Sequence, residues 1–242
     1  MRLLLLPLAA FMLIAASPRS QEAGRLLDGG QDAQAFALVE RAAGEGDLDS
    51  VAYLAWFYDA GRYVQVDKAR AAGLYRRAAT GGHANAQWRL GVMLDMGEGV
   101  AENPEEALVW IRRAAAQDHA EGNASLAVMH ANGRGTPVDY AASMRHYRRA
   151  AQLGASAGFY GIGVLHALGQ GVPTDRIEAG GWFIVANILQ DSRSEAAMQR
   201  LNQNQGETRR AAERARAILR EFGRDEQLID GEGVAPETVP VA

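Results

Sequence analysis

Glycines recur along this chain at one fixed interval. Four of them are separated by 36 residues from one to the next, namely Gly61, Gly97, Gly133 and Gly169. Two positions further on, the chain has Tyr63, Gly99, Gly135 and Gly171. A period of this length is typical of a solenoid, in which one supersecondary unit stacks on the next. The chain is therefore constrained to fold as an array of similar units.

Apolar positions follow the same 36-residue step. Three columns contain Leu54, Leu90, Leu126 and Ile162, then Tyr75, Ile111, Tyr147 and Phe183, then Ala78, Ala114, Ala150 and Ala186. Because each column keeps its apolar character in every copy, it marks a position that faces the core of each unit. The columns place an array over residues 31–190. It consists of a half repeat at 31–46 and four repeats at 47–82, 83–118, 119–154 and 155–190.

Each repeat is predicted to form two antiparallel helices, a helix A followed by a helix B. In the second repeat, Ala86, Leu90 and Leu94 are four residues apart and form an apolar face of helix A. Gly97 ends this helix, because glycine takes the left-handed conformation of a C-cap without strain. Asn103 follows as the N-cap of helix B, with a proline directly after it. No segment alternates with a period of two, so the sequence predicts an all-α fold.

The repeat pattern stops after the fourth copy, and two different segments follow. Residues 191–223 contain an apolar stripe that includes Ala211, Ala215 and Ile218, with arginines and glutamates between them. This pattern predicts capping helices with one solvated side, as the end of an array requires. Residues 224–242 are rich in acidic residues and proline, and we predict that they form a disordered tail.

The N-terminal segment is typical of an export signal. An apolar run extends from Leu3 to Ala16 and is followed by polar residues. The run is too short to span a bilayer comfortably, and it predicts a signal peptide in residues 1–20 that is cleaved close to Ser17. The protein is then expected to be periplasmic. The alternative is an uncleaved segment that anchors the protein in the membrane, because Pro18 is unfavourable for a peptidase.

The composition excludes several classes of function. The chain has no cysteine, which rules out cysteine nucleophiles, thiolate metal sites and disulfides. The formal net charge is −4 and there is no basic tract, so the chain lacks the electrostatic pattern of a nucleic-acid binder. His83 and His119 share one helix position, and His130 and His166 share another, which indicates packing rather than metal binding. We predict no metal site and no cofactor.

Motifs of hydrolytic enzymes are absent or misplaced. Residues 154–158 spell G-x-S-x-G around Ser156, a motif that hydrolases place between a strand and a helix. Here it falls on a repeat boundary, between two predicted helices. A serine–lysine acylase needs S-x-x-K and a P-loop also needs a lysine, but the single lysine, Lys68, fits neither pattern. We therefore predict no catalytic residue, and a protein that is not an enzyme.

The second repeat carries a resemblance to a known family. Its residues read Ala86-x3-Leu90-Gly91-x2-Leu94-x2-Gly97-x-Gly99-Val100 and then Asn103-x3-Ala107-x2-Trp110-x3-Ala114-Ala115. This pattern resembles the Sel-one-like repeat, a relative of the tetratricopeptide repeat, and the resemblance covers about residues 31–222. The first copy departs from it at Tyr63, and the third at Thr136 and Pro137. The resemblance implies a right-handed α/α superhelix that binds other proteins, often in the bacterial envelope.

The resemblance also implies a binding groove. In tetratricopeptide arrays helix A lines the concave surface, and the corresponding positions here are expected to contact a partner. They are Asp49, Tyr53, Trp56, Asp59, Asn85, Trp88, Arg89, Asp95, Met96, Glu121, Ser125, Asn132 and Tyr160, together with the apolar Val92, Val128, Val164 and Leu168. Trp56 and Trp88 have no counterpart in later copies, where Val128 and Ala124 stand in their columns, so we interpret both tryptophans as binding residues. The alternative is that both fill gaps in the core.

Together these observations predict an exported, non-enzymatic repeat protein that binds a protein or peptide as an adaptor or regulator in the envelope. Nucleic acid is not expected as a partner, and membrane contact is expected only if the N-terminal segment stays attached. The competing hypothesis is a cell-wall-directed hydrolase or penicillin-binding protein, because cysteine-rich members of the family are claimed to resemble β-lactamases. The lack of cysteine and of S-x-x-K argues against this hypothesis.

Overall fold

The computed structural model describes residues 17–202 and 204–225, which form twelve α-helices and no β-strand. The helices are α1 (Pro18–Asp28), α2 (Asp32–Gly44), α3 (Leu48–Ala60), α4 (Lys68–Thr80), α5 (Ala84–Met96), α6 (Pro104–Ala115), α7 (Ala120–Asn132), α8 (Tyr140–Gln152), α9 (Ser156–Leu168), α10 (Arg176–Ile188), α11 (Ser194–Leu201) and α12 (Gln205–Glu221). They divide into two compact units, with α1–α6 in the first and α7–α12 in the second. The predicted all-α fold is confirmed.

Two predicted segments lie mainly outside the described residues. These are the signal peptide, of which residues 1–16 are not described, and the acidic tail, of which residues 226–242 are not described. Ser17 is the N-cap of α1 and Pro18 is its first residue. The first described helix therefore begins inside the predicted signal segment, close to the predicted cleavage point. Among the described residues, no helix is both long and apolar enough to span a membrane.

The first unit contains a helix that the repeat pattern does not predict. Helix α1 packs against α2 and α3, and it buries Ala23 and Leu27 there. The half repeat predicted at 31–46 is thus the second helix of a complete helical pair. The sequence pattern missed α1 because this helix lacks the glycine and leucine columns that mark the other first helices of a pair.

Helices α3/α4 and α5/α6 form the first and second repeats, and their ends follow the predicted chemistry. Gly61 and Gly97 end α3 and α5 with φ angles of +67° and +70°. Asp67 and Asn103 cap α4 and α6, where each side chain accepts a backbone N–H from the first turn. Fully buried side chains of these two repeats include Phe57, Leu90, Met93 and Ile111.

The second unit contains the third repeat, α7/α8, the fourth repeat, α9/α10, and two further helices. Helix α12 packs on α10, and the apolar side chains of Ile218 and Leu219 are buried in one cluster with Trp182. Arg214 donates two hydrogen bonds to Glu178 of α10, with N–O distances of 2.6 and 2.8 Å. The side of α12 away from α10 exposes Arg209, Arg210 and Arg220.

Glycines on the helix faces set the distance between neighbouring helices. A methyl group at Gly158 of α9 would lie 2.5 Å from the backbone nitrogen of Ala151 and 2.6 Å from the carbonyl oxygen of Tyr147, both in α8. A methyl group at Gly163 would lie 2.6 Å from the ring of Phe183 in α10. These helices therefore pack at a separation that larger side chains would prevent.

Candidate partner-binding surface

Ten of the predicted groove residues lie in the first unit, and one of them is Val92 of α5. Helix α3 carries Asp49, Tyr53, Trp56 and Asp59, and helix α5 carries Asn85, Trp88, Arg89, Asp95 and Met96. Met96 is 64% exposed, and Trp56 and Trp88 are half-buried. Tyr53 and Asp59, in contrast, are only 5% and 8% exposed. A partner can reach the side chains of Met96, Trp56 and Trp88. The side chains of Tyr53 and Asp59 are covered by the protein itself.

Asp59 is the centre of a buried ion-pair network. Arg89 donates two hydrogen bonds to its carboxylate, at 2.6 and 3.0 Å, and the ammonium of Lys68 donates a third at 2.6 Å. Glu98 lies 3.3 Å from Arg89 and 3.5 Å from Lys68, so it balances the second positive charge. Burial alone would raise the pKa of Asp59, but the hydrogen bonds from Arg89 and Lys68 outweigh it and hold the pKa below its usual value. The network joins α3, α4 and α5, and Asp59 acts inside the array rather than on its surface.

Tyr53 is covered by the unpredicted helix α1. Gly24 of α1 faces the Tyr53 hydroxyl so closely that a methyl group there would be 3.4 Å from the oxygen. Burial and the nearby charges of Asp28 and Asp49 raise the pKa of Tyr53. Tyr53 therefore lies on an internal surface, and the part of the predicted groove that remains open on the second half of α3 centres on Trp56.

The two tryptophans have different surroundings. The ring of Trp56 contacts Phe57 edge-on at a centroid distance of 5.2 Å, and the Arg62 guanidinium lies 5.9 Å from its centroid. The ring of Trp88 stacks on His119, with centroids 5.4 Å apart and planes inclined by 27°. Trp88 therefore has a packing role as well, and its column is aromatic again in the fourth repeat, at Tyr160. The column therefore alternates between small and aromatic residues, with Ala124 between Trp88 and Tyr160.

Acidification is expected to destabilise the first unit through His119. Burial, followed by repulsion from His83, lowers the pKa of His119 from 6.5 to about 4. The unfolded chain takes up a proton near pH 6.5 while the folded chain does not, so stability is full above pH 6.5 and falls between pH 6.5 and about 4. Each pKa unit corresponds to about 1.4 kcal/mol, which limits the loss to about 3 kcal/mol.

Thermal unfolding at pH 7 and at pH 4.5 measures this loss in the wild type and in His119→Gln. We expect the variant to lose less stability on acidification, while His83 contributes equally to both proteins. An equal loss in the two proteins would show that His119 is protonated without cost in the folded state.

Seven predicted groove residues lie in the second unit, three of which are the apolar Val128, Val164 and Leu168. Of the other four, helix α7 carries Glu121, Ser125 and Asn132, and helix α9 carries Tyr160. Asn132 is exposed, and Glu121, Ser125 and Tyr160 are half-buried. The Arg193 guanidinium lies 4.2 Å from the centroid of the Tyr160 ring and pairs with Asp191 at 2.6 Å. The segment between α10 and α11 thus covers part of Tyr160, which the repeat pattern does not predict because this segment lies outside the array. Val128 and Leu168, with 41% and 62% exposure, remain open.

The residues of enzyme-like motifs have structural positions. Ser156 is the first residue of α9, and the preceding element is helix α8 rather than a strand. This geometry does not form a nucleophile elbow. His130 stacks on His146 with centroids 5.8 Å apart and an interplanar angle of 1°. Within residues 17–202 and 204–225, no group of three or more histidine, aspartate or glutamate side chains could hold a metal ion.

The fold and the surface define a class of protein. It is an all-α repeat protein whose A helices carry exposed apolar side chains, such as Met96, Val128 and Leu168, and half-buried aromatic ones, such as Trp56. The chain belongs to the Sel1 repeat family, whose model matches residues 48–83, 84–119, 120–154 and 159–187, more than half of its length. The resemblance seen in the sequence is thus confirmed, and the first three matched repeats begin one residue after the predicted boundaries.

Solved structures support this assignment. The chain is similar to a Sel1 repeat protein from Oxalobacter formigenes, with 26% identity, a TM-score of 0.69, and coverage of 90% of this chain and 94% of that one. It is also similar to c5321, a protective antigen of uropathogenic Escherichia coli with an SLR fold, with 24% identity, a TM-score of 0.66 and coverage of 81% and 46%. The chain spans less than half the length of c5321.

A third similar structure is a Sel1 repeat protein from Klebsiella pneumoniae subsp. pneumoniae, with 19% identity, a TM-score of 0.54 and coverage of 76% and 92%. At these identities, the Escherichia and Klebsiella structures show a common fold only. No curated protein is significantly similar to the chain.

Proposed function

We propose that this protein is a non-enzymatic adaptor or regulator that binds a protein or peptide partner on the surface of α3 and α5. Proteins built of Sel1 repeats typically mediate protein–protein interactions. The observation that carries the proposal is that the exposed Met96 and the half-buried Trp56 and Trp88 lie on the A helices of adjacent repeats. Tryptophan is enriched among the residues that dominate binding energy at protein interfaces. The charged Asp95 and the polar Asn85 lie on the same helix as Trp88 and provide a polar rim.

Trp56 gives the first test of this surface, because its ring contacts Phe57 and Arg62 of its own repeat, whereas the ring of Trp88 stacks on His119, beyond the helices of its own repeat. We expect Trp56→Ala to weaken partner binding by about 2 kcal/mol or more, which is about thirtyfold in affinity. Its melting temperature is expected to stay within a few degrees of the wild type. Trp88→Ala is expected to weaken binding and also to lower stability, since it removes the stack on His119.

The partner is first identified by cross-linking in the native envelope, and its affinity for each variant is then measured by titration. Tyr63→Gly is a matched control. Tyr63 is 59% exposed and has a φ angle of +65°, which glycine tolerates, and it lies outside the predicted groove. Retained affinity in the Trp56→Ala/Trp88→Ala double variant, with an intact helical circular dichroism spectrum, would place the partner elsewhere on the protein.

We further propose that the protein acts in the periplasm. The apolar run from Leu3 to Ala16 supports export. Because the chain has no cysteine, its folding does not depend on the redox state of the compartment. Cell fractionation tests this directly, because the protein is expected in the periplasmic extract. Recovery in the cytosol would contradict export, and recovery in the membrane fraction would support the anchored alternative.

A further inference from the structure

We propose that Asp47 and Asp49 bind the α-amino group that is created at Ser17 when the leader is removed. The backbone N–H of Ser17 donates a hydrogen bond of 2.5 Å to the Asp49 carboxylate. The hydroxyl of Ser17 donates one of 2.8 Å to the Asp47 carboxylate. Two acidic side chains at the start of α3 are thus directed at the one residue whose nitrogen becomes charged on cleavage.

These carboxylates have no cationic partner among the described side chains. Ser50 donates to Asp47, and Ser20 lies 3.5 Å from Asp49, but both are neutral hydroxyls. The imidazole of His83 lies 3.5 Å from Asp49, but burial lowers its pKa and so favours its neutral form. The nearest basic residue of α1, Arg19, pairs instead with Glu45. The two half-buried negative charges therefore lack a counterion that an ammonium at Ser17 would supply.

The chemistry of cleavage supplies this cation. Hydrolysis of the Ala16–Ser17 amide adds the hydroxyl of water to the carbonyl carbon and its proton to the nitrogen. At neutral pH the products are a carboxylate on the leader and an ammonium on Ser17. An ammonium at the N-terminus of α1 opposes the helix dipole, and the carboxylates of α3 offset that repulsion. The donor to the Asp49 carboxylate changes from a neutral amide to an ammonium, so the hydrogen bond then joins two opposite charges and is stronger.

The same geometry identifies the bond that is cut. Cleavage after Ser17 would remove the N-cap of α1 together with both contacts to α3, whereas cleavage after Ala16 keeps them all. Ala16 also supplies the small residue that a signal peptidase needs directly before the bond it cuts. The cleavage step rests on the export proposed above, while the carboxylate site depends only on the fold of the first unit.

Two measurements test the proposal. The first is the intact mass of the protein recovered from the envelope, which is expected to be that of a chain beginning at Ser17. A chain that starts elsewhere, or that keeps its leader, overturns the proposed cleavage. The second measures the reactivity of the amine at Ser17 by limited acetylation at pH 7, followed by mass spectrometry. The assignment is simple because Lys68 carries the only other amino group.

Ion pairing with Asp49 raises the pKa of the amine and lowers the fraction of its reactive free base. We expect the chain starting at Ser17 to be acetylated at the α-amino group about tenfold more slowly than a chain that keeps Ala16. Asp49→Asn and Asp47→Asn should remove the protection, whereas Glu22→Gln, which changes an acidic residue of α1 paired with Arg25, should keep it. Equal rates in the two chains would overturn the site even if export is confirmed.

Discussion

Replacing Gly99 with alanine is expected to destabilise the first unit by about 2–5 kcal/mol. Gly99 has a φ angle of +69°, and an L-residue in that conformation costs about 1–2 kcal/mol. The added methyl group would also lie 2.3 Å from the carbonyl carbon of Lys68 and 2.4 Å from its oxygen, at the start of α4. Backbone atoms cannot rotate away, so the loop must move, and such overpacking typically costs about 1–3 kcal/mol more.

Gly97 separates the two contributions, because it has the same left-handed conformation without the close approach. A methyl group at Gly97 would be 3.5 Å from its nearest neighbour, Glu102, so Gly97→Ala is expected to cost only about 1–2 kcal/mol. Gly73 is exposed within α4 with no atom near its position, and Gly73→Ala should stabilise by about 0.5–1 kcal/mol. Urea unfolding followed by circular dichroism measures all three. Equal losses in the free energy of unfolding for Gly97→Ala and Gly99→Ala would show that a methyl group at position 99 does not clash with the backbone of α4.

The variant Asp59→Ala is expected to lose about 3–5 kcal/mol, because it leaves Arg89 and Lys68 without their buried counterion. The side chain of Asp59 is only 7% exposed, so water cannot replace it. Replacing the buried pair with apolar residues, in Asp59→Leu/Arg89→Met, is expected to recover much of the loss, since Lys68 then keeps Glu98 as its partner. A loss below about 1 kcal/mol in Asp59→Ala would indicate a solvated pair of the kind found on surfaces.

The ion pairs of Asp59 also make stability depend on pH, but for a different reason from His119. Protonation removes the charge of Asp59, whereas it adds a charge to the buried His119. The pKa of Asp59 is lowered in the folded protein, so its ion pairs contribute fully above the ordinary value of 3.8 and are lost as the pH falls further. Asp59→Asn should therefore flatten the stability profile below about pH 4, whereas His119→Gln should flatten it between pH 4 and 6.5. The two windows can be separated in one series of unfolding curves.

These contacts change which residues of the predicted groove can recognise a partner. Arg89 pairs with Asp59, and Tyr53 packs against α1, so both side chains stabilise the array. In the first unit, the surface that remains for binding is aromatic and apolar at Trp56 and Met96. We therefore expect the partner to contact this surface with apolar side chains and to place its charged side chains at the edge of the interface.

The sequence by itself determined the repeat length, the all-α fold, the helix ends at Gly61 and Gly97, and the caps at Asp67 and Asn103. These features depend on interactions within one helical turn or one loop, and the array repeats the same local chemistry in every copy. The period of the sequence therefore predicts these features without any information on tertiary contacts. The family resemblance followed from the same columns and was confirmed by the family match.

Only the tertiary structure decided which helix A residues reach the surface. Helix α1 covers Tyr53, the loop after α10 brings Arg193 over Tyr160, and His119 stacks on Trp88. Asp59 meets its partner Arg89 from the next repeat, 30 residues further along the chain. Each of these contacts joins residues that are distant in sequence, and two of them involve segments outside the repeat, where no periodicity exists to report them. Burial of a polar side chain depends on what packs over it, and that is a property of the assembled helices.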